Sequence, residues 1–279
     1  MIIAALAVLG VIFGSFVNAA VWRLHEQSKL AGKRGEAVAT RRKELSIAKG
    51  RSMCPHCSHT LAAKDLVPIL SWLSLGGKCR YCHKPISWQY PLIEVITGVL
   101  FALSYATWPY EFHGVGLFQF ALWLLFLVAF VALAVYDLRW FLLPDKIVYP
   151  LTMLAVLQVT VTAVWFHSFS VVWQPVLGGV IIFGLFWLLF QVSKGAWIGG
   201  GDVKLAFALG LLAATPLKAG LVIFFASLLG TIVSLPALAK GKSGFSRHIP
   251  FGPYLLAATV IVVLYGEGIV NWYQNLLLM

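Results

Sequence analysis

Charge is what this sequence has least of. Only 11% of its 279 residues are Asp, Glu, Lys or Arg, against 60% hydrophobic, and the mean hydropathy is +0.88. So little polar surface cannot coat a water-soluble globule of this length. Acidic residues are scarcer still, 10 in all, so each one beside an apolar run is a candidate for function. Cysteine is confined to four positions in one polar segment. The HExxH signature is missing, since Lys29 stands where the second histidine after His25-Glu26 is needed, which argues against a zinc metalloprotease. There is no glycine-rich nucleotide fingerprint, no internal repeat, and no basic stretch ahead of the first apolar run. Its first positive charge, Arg23, follows that run, so the run reads as an anchor rather than a cleaved signal.

What the chain has in abundance is apolar stretches long enough to cross roughly 30 Å of hydrocarbon at about 1.5 Å per helical residue. Eight are expected, at 1–22, 91–108, 117–136, 147–166, 175–192, 202–215, 217–239 and 252–275. The sixth is short, opens on a glycine run and is separated from the seventh only by Thr215 and Pro216, so it reads as a full span or as a half-buried segment. All 21 Lys and Arg except Lys218 fall between 23 and 90 or in alternate later loops, at Arg139, Lys146, Lys194, Lys204, Lys240, Lys242 and Arg247. Cytoplasmic loops retain positive charge, so these loops are expected inside and both termini outside. The same sorting explains the net charge of +11 without nucleic acid. The fold class is an all-α polytopic membrane protein of about eight transmembrane helices with a cytoplasmic zinc-binding loop between the first two. It divides into a first helix at 1–22, a basic loop at 23–90 and a seven-helix membrane domain at 91–279. The charged stretch 27–51 reads as a solvated linker or a short surface helix.

The cysteines form two pairs, Cys54-x-x-Cys57 and Cys79-x-x-Cys82. Two such knuckles supply four thiolates at tetrahedral spacing for a structural zinc ion, in a compartment where disulfides do not persist. With every position filled by protein, the metal acts as a staple rather than a catalyst. A redox dithiol pair is the competing reading. His56, His59 and His83 either decorate the knuckles or replace a thiolate.

Asp137 ends the third span, Asp145 opens the fourth, and Asp202 follows the glycines of Gly199-Gly200-Gly201 and precedes Val203-Lys204. Two carboxylates brought together can share one proton, so that the ionised member takes a proton from water while the protonated one polarises a scissile carbonyl. That is aspartyl proteolysis, and Asp137 and Asp202 are the expected pair. Glycines before Asp202, Gly199 and Gly201 among them, allow close backbone approach beside an extended substrate. The bland alternative makes Asp202 and Asp145 helix caps and leaves Asp137 as a span end beside Arg139; for Asp145 the cap is preferred. Glu94, just inside the second span, either neutralises a basic group or helps recognise a substrate.

Two other classes compete. Gly241-Lys242-Ser243-Gly244 matches the short GxSG pattern of serine intramembrane proteases, but it lies in a basic loop with His248 five residues on, rather than at a buried helix start. An ion- or proton-coupled transporter using Asp137 and Asp202 also keeps acidic groups near a broken helix, though near the bilayer midplane rather than at one surface.

Five segments taken in order resemble the type IV prepilin peptidases, the bifunctional leader peptidases and N-methyltransferases of pilus and type II secretion systems, which are GxGD aspartyl proteases. They are Gly14-Ser15-Phe16-Val17-Asn18; the cysteine pairs flanking Ile69-Leu70-Ser71-Trp72-Leu73; Ile86 through Glu94; Asp137-Leu138 with Leu143-Pro144-Asp145 and Gly199 through Lys204; and Ile249-Pro250-Phe251-Gly252-Pro253. The resemblance implies Asp137 and Asp202 as the catalytic pair and a prepilin or pseudopilin substrate whose basic leader precedes an apolar helix. It implies a bacterial inner membrane location with the active site facing the cytoplasm, and S-adenosylmethionine as methyl donor. Leu66 and Gln89 depart from the family's usual Asn and Arg in the loop associated with methylation, and no motif places the donor site. Oligomeric state is not specified.

Overall fold

In hydrocarbon every backbone N–H and C=O must find its partner within the protein, which favours uninterrupted helices for these apolar runs. A computed structural model of the protein describes residues 1–47, 49–239 and 250–277, and among them the chain is helical with no strand. The GxSG tetrapeptide and His248 lie outside the described residues. Two compact units form, Met1–Ala106 and Thr107–Met279.

The first unit holds α1 (Ile2–Lys29), α2 (Glu36–Glu44), the short α3 (Leu70–Ser74) and α4 (Gln89–Ala106). Helix α4, grouped above with the later spans, belongs to this unit and packs along α1. The contact depends on missing side chains: a Cβ on Gly10 would lie 2.6 Å from the Thr97 carbonyl oxygen, and one on Gly14 would lie 2.7 Å from Glu94 Cα. Helix α1 outruns its apolar stretch by two turns, and Gln27 in that extension donates to the Leu45 carbonyl at 2.8 Å. Within the basic stretch 27–51, α2 is the short surface helix; it buries no residue.

The second unit holds α5 (Gly114–Trp140), α6 (Asp145–Phe166), α7 (Ser170–Ser193), α8 (Gly200–Leu212), α9 (Pro216–Ala239) and α10 (Gly252–Leu277). Helix α5 stops where Phe141 turns into the left-handed region at φ 55°, its N–H closing on the Asp137 carbonyl at 2.8 Å. Pro144 then caps α6 in extended conformation, so the polypeptide reverses in four residues. Lys218, the one basic residue that charge sorting leaves on the opposite side, is buried and ion-paired with Glu267.

Among the described residues, seven helices are long and apolar enough to cross a membrane: α1, α4, α5, α6, α7, α9 and α10. The protein is multi-pass. The short sixth segment of the sequence is α8, whose 13 residues extend roughly 20 Å, less than the hydrocarbon core. It is enclosed by protein, with Leu205, Ala206, Ala208 and Leu209 fully buried. Its closest neighbour is α7, where Gly178 and Gly179 meet Gly210 so tightly that a Cβ on Gly210 would lie 2.5 Å from Gly179 Cα. Close backbone approach at small residues is how helices associate when hydrocarbon supplies no hydrophobic drive.

Gly210→Leu is therefore expected to destabilise the purified protein by about 1–3 kcal/mol through overpacking. Gly184→Ala in α7, where a Cβ meets nothing within 4 Å, is expected to leave stability unchanged or slightly raised. Thermal unfolding of both variants in one detergent checks the contrast.

Candidate active site

Three helix ends converge in the second unit. Asp137 lies in the last turn of α5, Asp202 in the first turn of α8 and Gly252 at the first residue of α10. Both carboxylates are buried, Asp137 to 5% exposure and Asp202 to 8%. A Cβ placed on Gly252 would lie 2.6 Å from Asp137 Oδ2 and 3.3 Å from Asp202 Oδ1. Both carboxylates thus reach the same point beside Gly252, where any side chain would collide with Asp137.

Helix N-termini make this arrangement tolerable. The Asp137 carboxylate lies against Gly252 at the start of α10, and the Asp202 carboxylate lies beside Gly199, the N-cap of α8. The positive ends of the α10 and α8 dipoles are therefore turned toward the acids. Helix α8 begins at Gly200 with Gly199 as its N-cap, so Asp202 lies inside the first turn and is not the cap of a helix starting at Val203 that the alternative reading made it. Asp202 Oδ1 is buried with no hydrogen-bond partner among the described residues, and it is the Asp202 oxygen that lies against Gly252. Orphaned buried acceptors are rare in folded proteins and call for an explanation.

The remaining candidates divide. Gly201 packs against Leu143 in the α5–α6 link, where a Cβ would lie 2.9 Å from the Leu143 Cβ, whereas Gly199 meets only Asp202 Oδ2, at 3.4 Å. The close approach expected of the glycines is thus required at Gly201. Asp145, in the first turn of α6, makes no side-chain cap; it forms an ion pair with Lys204 of α8 at 2.9 Å, and the Lys204 ammonium lies 5.6 Å from the Tyr149 ring. This pair ties α6 to α8 at the surface, where such pairs contribute at most about 1 kcal/mol. Arg139 lies over Trp140, 5.6 Å from its ring centre. Glu94 belongs to the first unit, buried at 6% exposure, and accepts the Ile69 N–H at 2.7 Å and a hydrogen bond from Ser15. Those partners are neutral, so Glu94 neutralises no basic group among the described residues. Gly252 is the residue that sequence reasoning undervalued: it was visible only inside Ile249-Pro250-Phe251-Gly252-Pro253, with nothing local to connect it to residues 50 and 115 positions earlier.

In the first unit the two cysteine pairs adopt one conformation twice. The Cys54 N–H donates to the His59 carbonyl and the Ser58 N–H to the Cys54 carbonyl; the Cys79 N–H donates to the Lys84 carbonyl and the His83 N–H to the Cys79 carbonyl. Ser58 and His83 occupy the matching left-handed position, at φ 57° and 56°. The four sulfurs lie within 4.8 Å of one another, with Cys54 Sγ and Cys82 Sγ 3.9 Å apart. Metal–sulfur bonds of about 2.3 Å at tetrahedral angles place sulfurs about 3.8 Å apart, so the cluster fits a metal ion. In the protein alone, burial pushes the Cys54 thiol up to about 12; Cys79, despite its own burial, is drawn down to about 7 by the Cys82 and Tyr81 amides. Among the described residues no histidine joins the cluster. His59 instead stacks on Tyr81 across the knuckles, ring centres 3.7 Å apart. The knuckles are further braced by Asp65. Burial raises its carboxyl, but hydrogen bonds from Arg80, Tyr81 and the Ala62 amide outweigh that and hold it below the usual range.

The chain has clear relatives. Residues 8–108 match the Bacterial Peptidase A24 N-terminal domain and residues 124–235, which include Asp137 and Asp202, match the Type IV leader peptidase family. A Prepilin leader peptidase/N-methyltransferase of Burkholderia pseudomallei is 33% identical over 268 residues, covering 93% of this chain and 84% of that protein. One from Stutzerimonas stutzeri is 31% identical over 278 residues, covering 95% and 91%. A Type 4 prepilin-like proteins leader peptide-processing enzyme of Escherichia coli is 34% identical over 253 residues, covering 88% and 87%. No solved structure matches. With two buried carboxylates meeting in the peptidase region and relatives of this identity along nearly its full length, the chain belongs to the type IV leader peptidase family.

Proposed function

We propose that this protein cleaves the basic leader from prepilin-like substrates with Asp137 and Asp202 and then methylates the new amino terminus. The observation that carries the proteolytic part is the meeting of two buried carboxylates at Gly252, with Asp202 Oδ1 left unbonded among the described residues. One carboxylate, ionised, accepts a proton from the attacking water. The other, protonated, donates to the carbonyl oxygen of the scissile bond as the tetrahedral carbon forms. Return of a proton to the departing amine releases the leader and leaves the pair ready for another cycle. The helix N-termini at Gly199 and Gly252 hold the carboxylates in register, so neither has to reorganise during the reaction.

Charge sorting supports a cytoplasmic face for this end of the bundle: Arg139, Lys146, Lys194 and Lys204 all lie near it in sequence. A prepilin suits that orientation, since its basic leader stays in the cytoplasm, its apolar helix lies in the bilayer and the scissile bond falls at the boundary. The bacterial inner membrane is the location this implies. A transporter reading finds no support, because Asp137 and Asp202 sit at helix ends and the relatives are named for processing.

For the cysteine cluster we favour zinc, held by Cys54, Cys57, Cys79 and Cys82 as a closed four-thiolate staple. S-adenosylmethionine, the donor that N-methyltransfer calls for, would supply the methyl group when bound.

Asp137→Asn and Asp202→Asn are each expected to lower cleavage of a synthetic prepilin by at least ~100-fold, read by mass spectrometry of the product; normal cutting by both variants would overturn the mechanism. Gly252→Ala, which puts a methyl against both carboxylates, is expected to cut the cleavage rate about 10-fold or more without preventing assembly of the protein in the membrane. Metal analysis is expected to give one zinc per chain. Because the metal binds thiolates, it should be retained at neutral pH and released as acidification reprotonates the sulfurs, with free thiols appearing in step.

A further inference from the structure

At the end of the second unit opposite Asp137 and Asp202, a cavity of about 630 Å³ lies among the starts of α5 and α7 and the ends of α6 and α8. That volume is within the roughly 300–1,000 Å³ of small-molecule sites. The second unit has five glutamines, of which Gln191 and Gln274 lie in the last turns of α7 and α10. The other three, Gln119 of α5, Gln158 of α6 and Gln174 of α7, all line this cavity. Polar side chains within membrane helices are costly, and they mark either hydrogen bonding between helices or a site. Helix-to-helix bonding accounts for Gln119 alone, whose amide donates to the Thr162 hydroxyl at 3.0 Å. Gln174 makes no side-chain hydrogen bond among the described residues, and Gln158 Oε1 is buried without a partner there, as is the indole Nε1 of Trp108 in the same wall. Orphaned buried polar atoms call for an explanation, and a wall that settles around a bound ligand supplies one.

The wall is close to neutral. Among the described residues no Lys, Arg or Asp lines it, and Glu111 and His113 are exposed and lie 3.0 Å from each other through Oε2 and Nε2. Indole faces complete it. Trp165 is seated on backbone, since a Cβ on Gly114 would lie 2.9 Å from its ring, and Trp108 stands edge-on to Phe120 and Tyr110 with ring centres 5.1 and 5.5 Å apart. These groups select a ligand by exclusion. An acyl chain leaves amides unpaired, and an ionic headgroup finds no buried counter-charge. A helical peptide has already spent its backbone amides within its own helix. A sugar ring meets both demands, because its hydroxyls donate and accept as primary amides do and its C–H faces lie flat on indoles.

We infer that this cavity binds a neutral saccharide, free or as the headgroup of a glycolipid, at the face expected outside the cytoplasm. The inference does not depend on the proteolytic or methyl-transfer reading, because the cavity shares no residue with the aspartate pair or with the unit that holds the cysteines. Gln119, Gln158 and Gln174 come from three helices, so a bound sugar ties α5, α6 and α7 together. Occupancy is therefore expected to raise the unfolding temperature of the protein as well as to be measurable directly.

The test uses the full-length protein in a sugar-free detergent, since alkyl maltosides present the very group in question. Labelled maltose in equilibrium dialysis is the soluble probe, and a photoreactive monoglucosyl diacylglycerol in nanodiscs is the lipid one, with phosphatidylglycerol as the ionic comparison. Binding of maltose assigns a free saccharide, and capture of the glycolipid alone assigns a headgroup; either bears the site out. Gln158→Leu and Gln174→Leu are each expected to weaken binding about 10-fold or more with no fall in unfolding midpoint. Gln274→Leu, on the exposed end of α10, is expected to leave affinity unchanged. Photolabel on the unaltered protein is expected within 108–123 or 158–175, and this mapping decides the matter if a variant fails to fold. Binding of neither sugar probe, wild-type affinity in both folded variants, equal capture of phosphatidylglycerol, or label confined to other segments overturns the site.

Discussion

Everything in the second unit is arranged around one electrostatic problem, which is how to bury two carboxylates side by side at the end of a helix bundle. Backbone dipoles solve it. Asp137 sits at the end of α5, where the carbonyl-rich terminus offers an acid no help, and relief comes from the N-terminus of α10 at Gly252. Asp202 is relieved by the N-terminus of its own helix at Gly199. The scaffold must therefore bring two helix starts to one helix stop, and the sharp reversals at Phe141–Pro144 and Gly199 serve that geometry.

The shortness of α8 follows from the same requirement. A helix that crossed the whole bilayer would tie Asp202 to the lipid boundary on both sides, whereas 13 residues packed against α7 through Gly178, Gly179 and Gly210 are held wholly by protein. Enclosed in this way, α8 has the position of Asp202 set by packing rather than by membrane thickness. The surface pair of Asp145 with Lys204 and the contact of Gly201 with Leu143 add local restraints between α8 and the segment that follows Asp137.

The first unit solves a different problem, that of giving order to a polar segment too small for a core of its own. Its knuckles repeat one hydrogen-bonded turn, its sulfurs converge at metal-binding distance, and Asp65 bridges to Arg80 and Tyr81. The buried polar groups of α1 and α4 then find partners in that segment, Arg23 at Ser46 and Ile47 and Glu94 at Ile69.

Much of this was legible in the linear chain, because hydropathy, charge sorting and close cysteine spacing are local properties that one-dimensional reading can measure. The all-helical membrane class follows from the apolar runs, the four-cysteine cluster from the CxxC pairs, and the two aspartates worth watching from Asp137 and Asp202 as written. The doubtful sixth segment could be singled out by its length, but its enclosure by α7 depends on glycines that meet only when the helices pack. Asp145 looked like a cap and is an ion-pair partner of Lys204, since a carboxylate at a helix start is drawn to whichever donor the tertiary fold brings nearest. Most of all, the closeness of Asp137 to Asp202 and the place of Gly252 beside them were decided by tertiary structure alone, because a carboxylate pair needs three helix ends at one point and no local sequence property encodes where distant helices end in space.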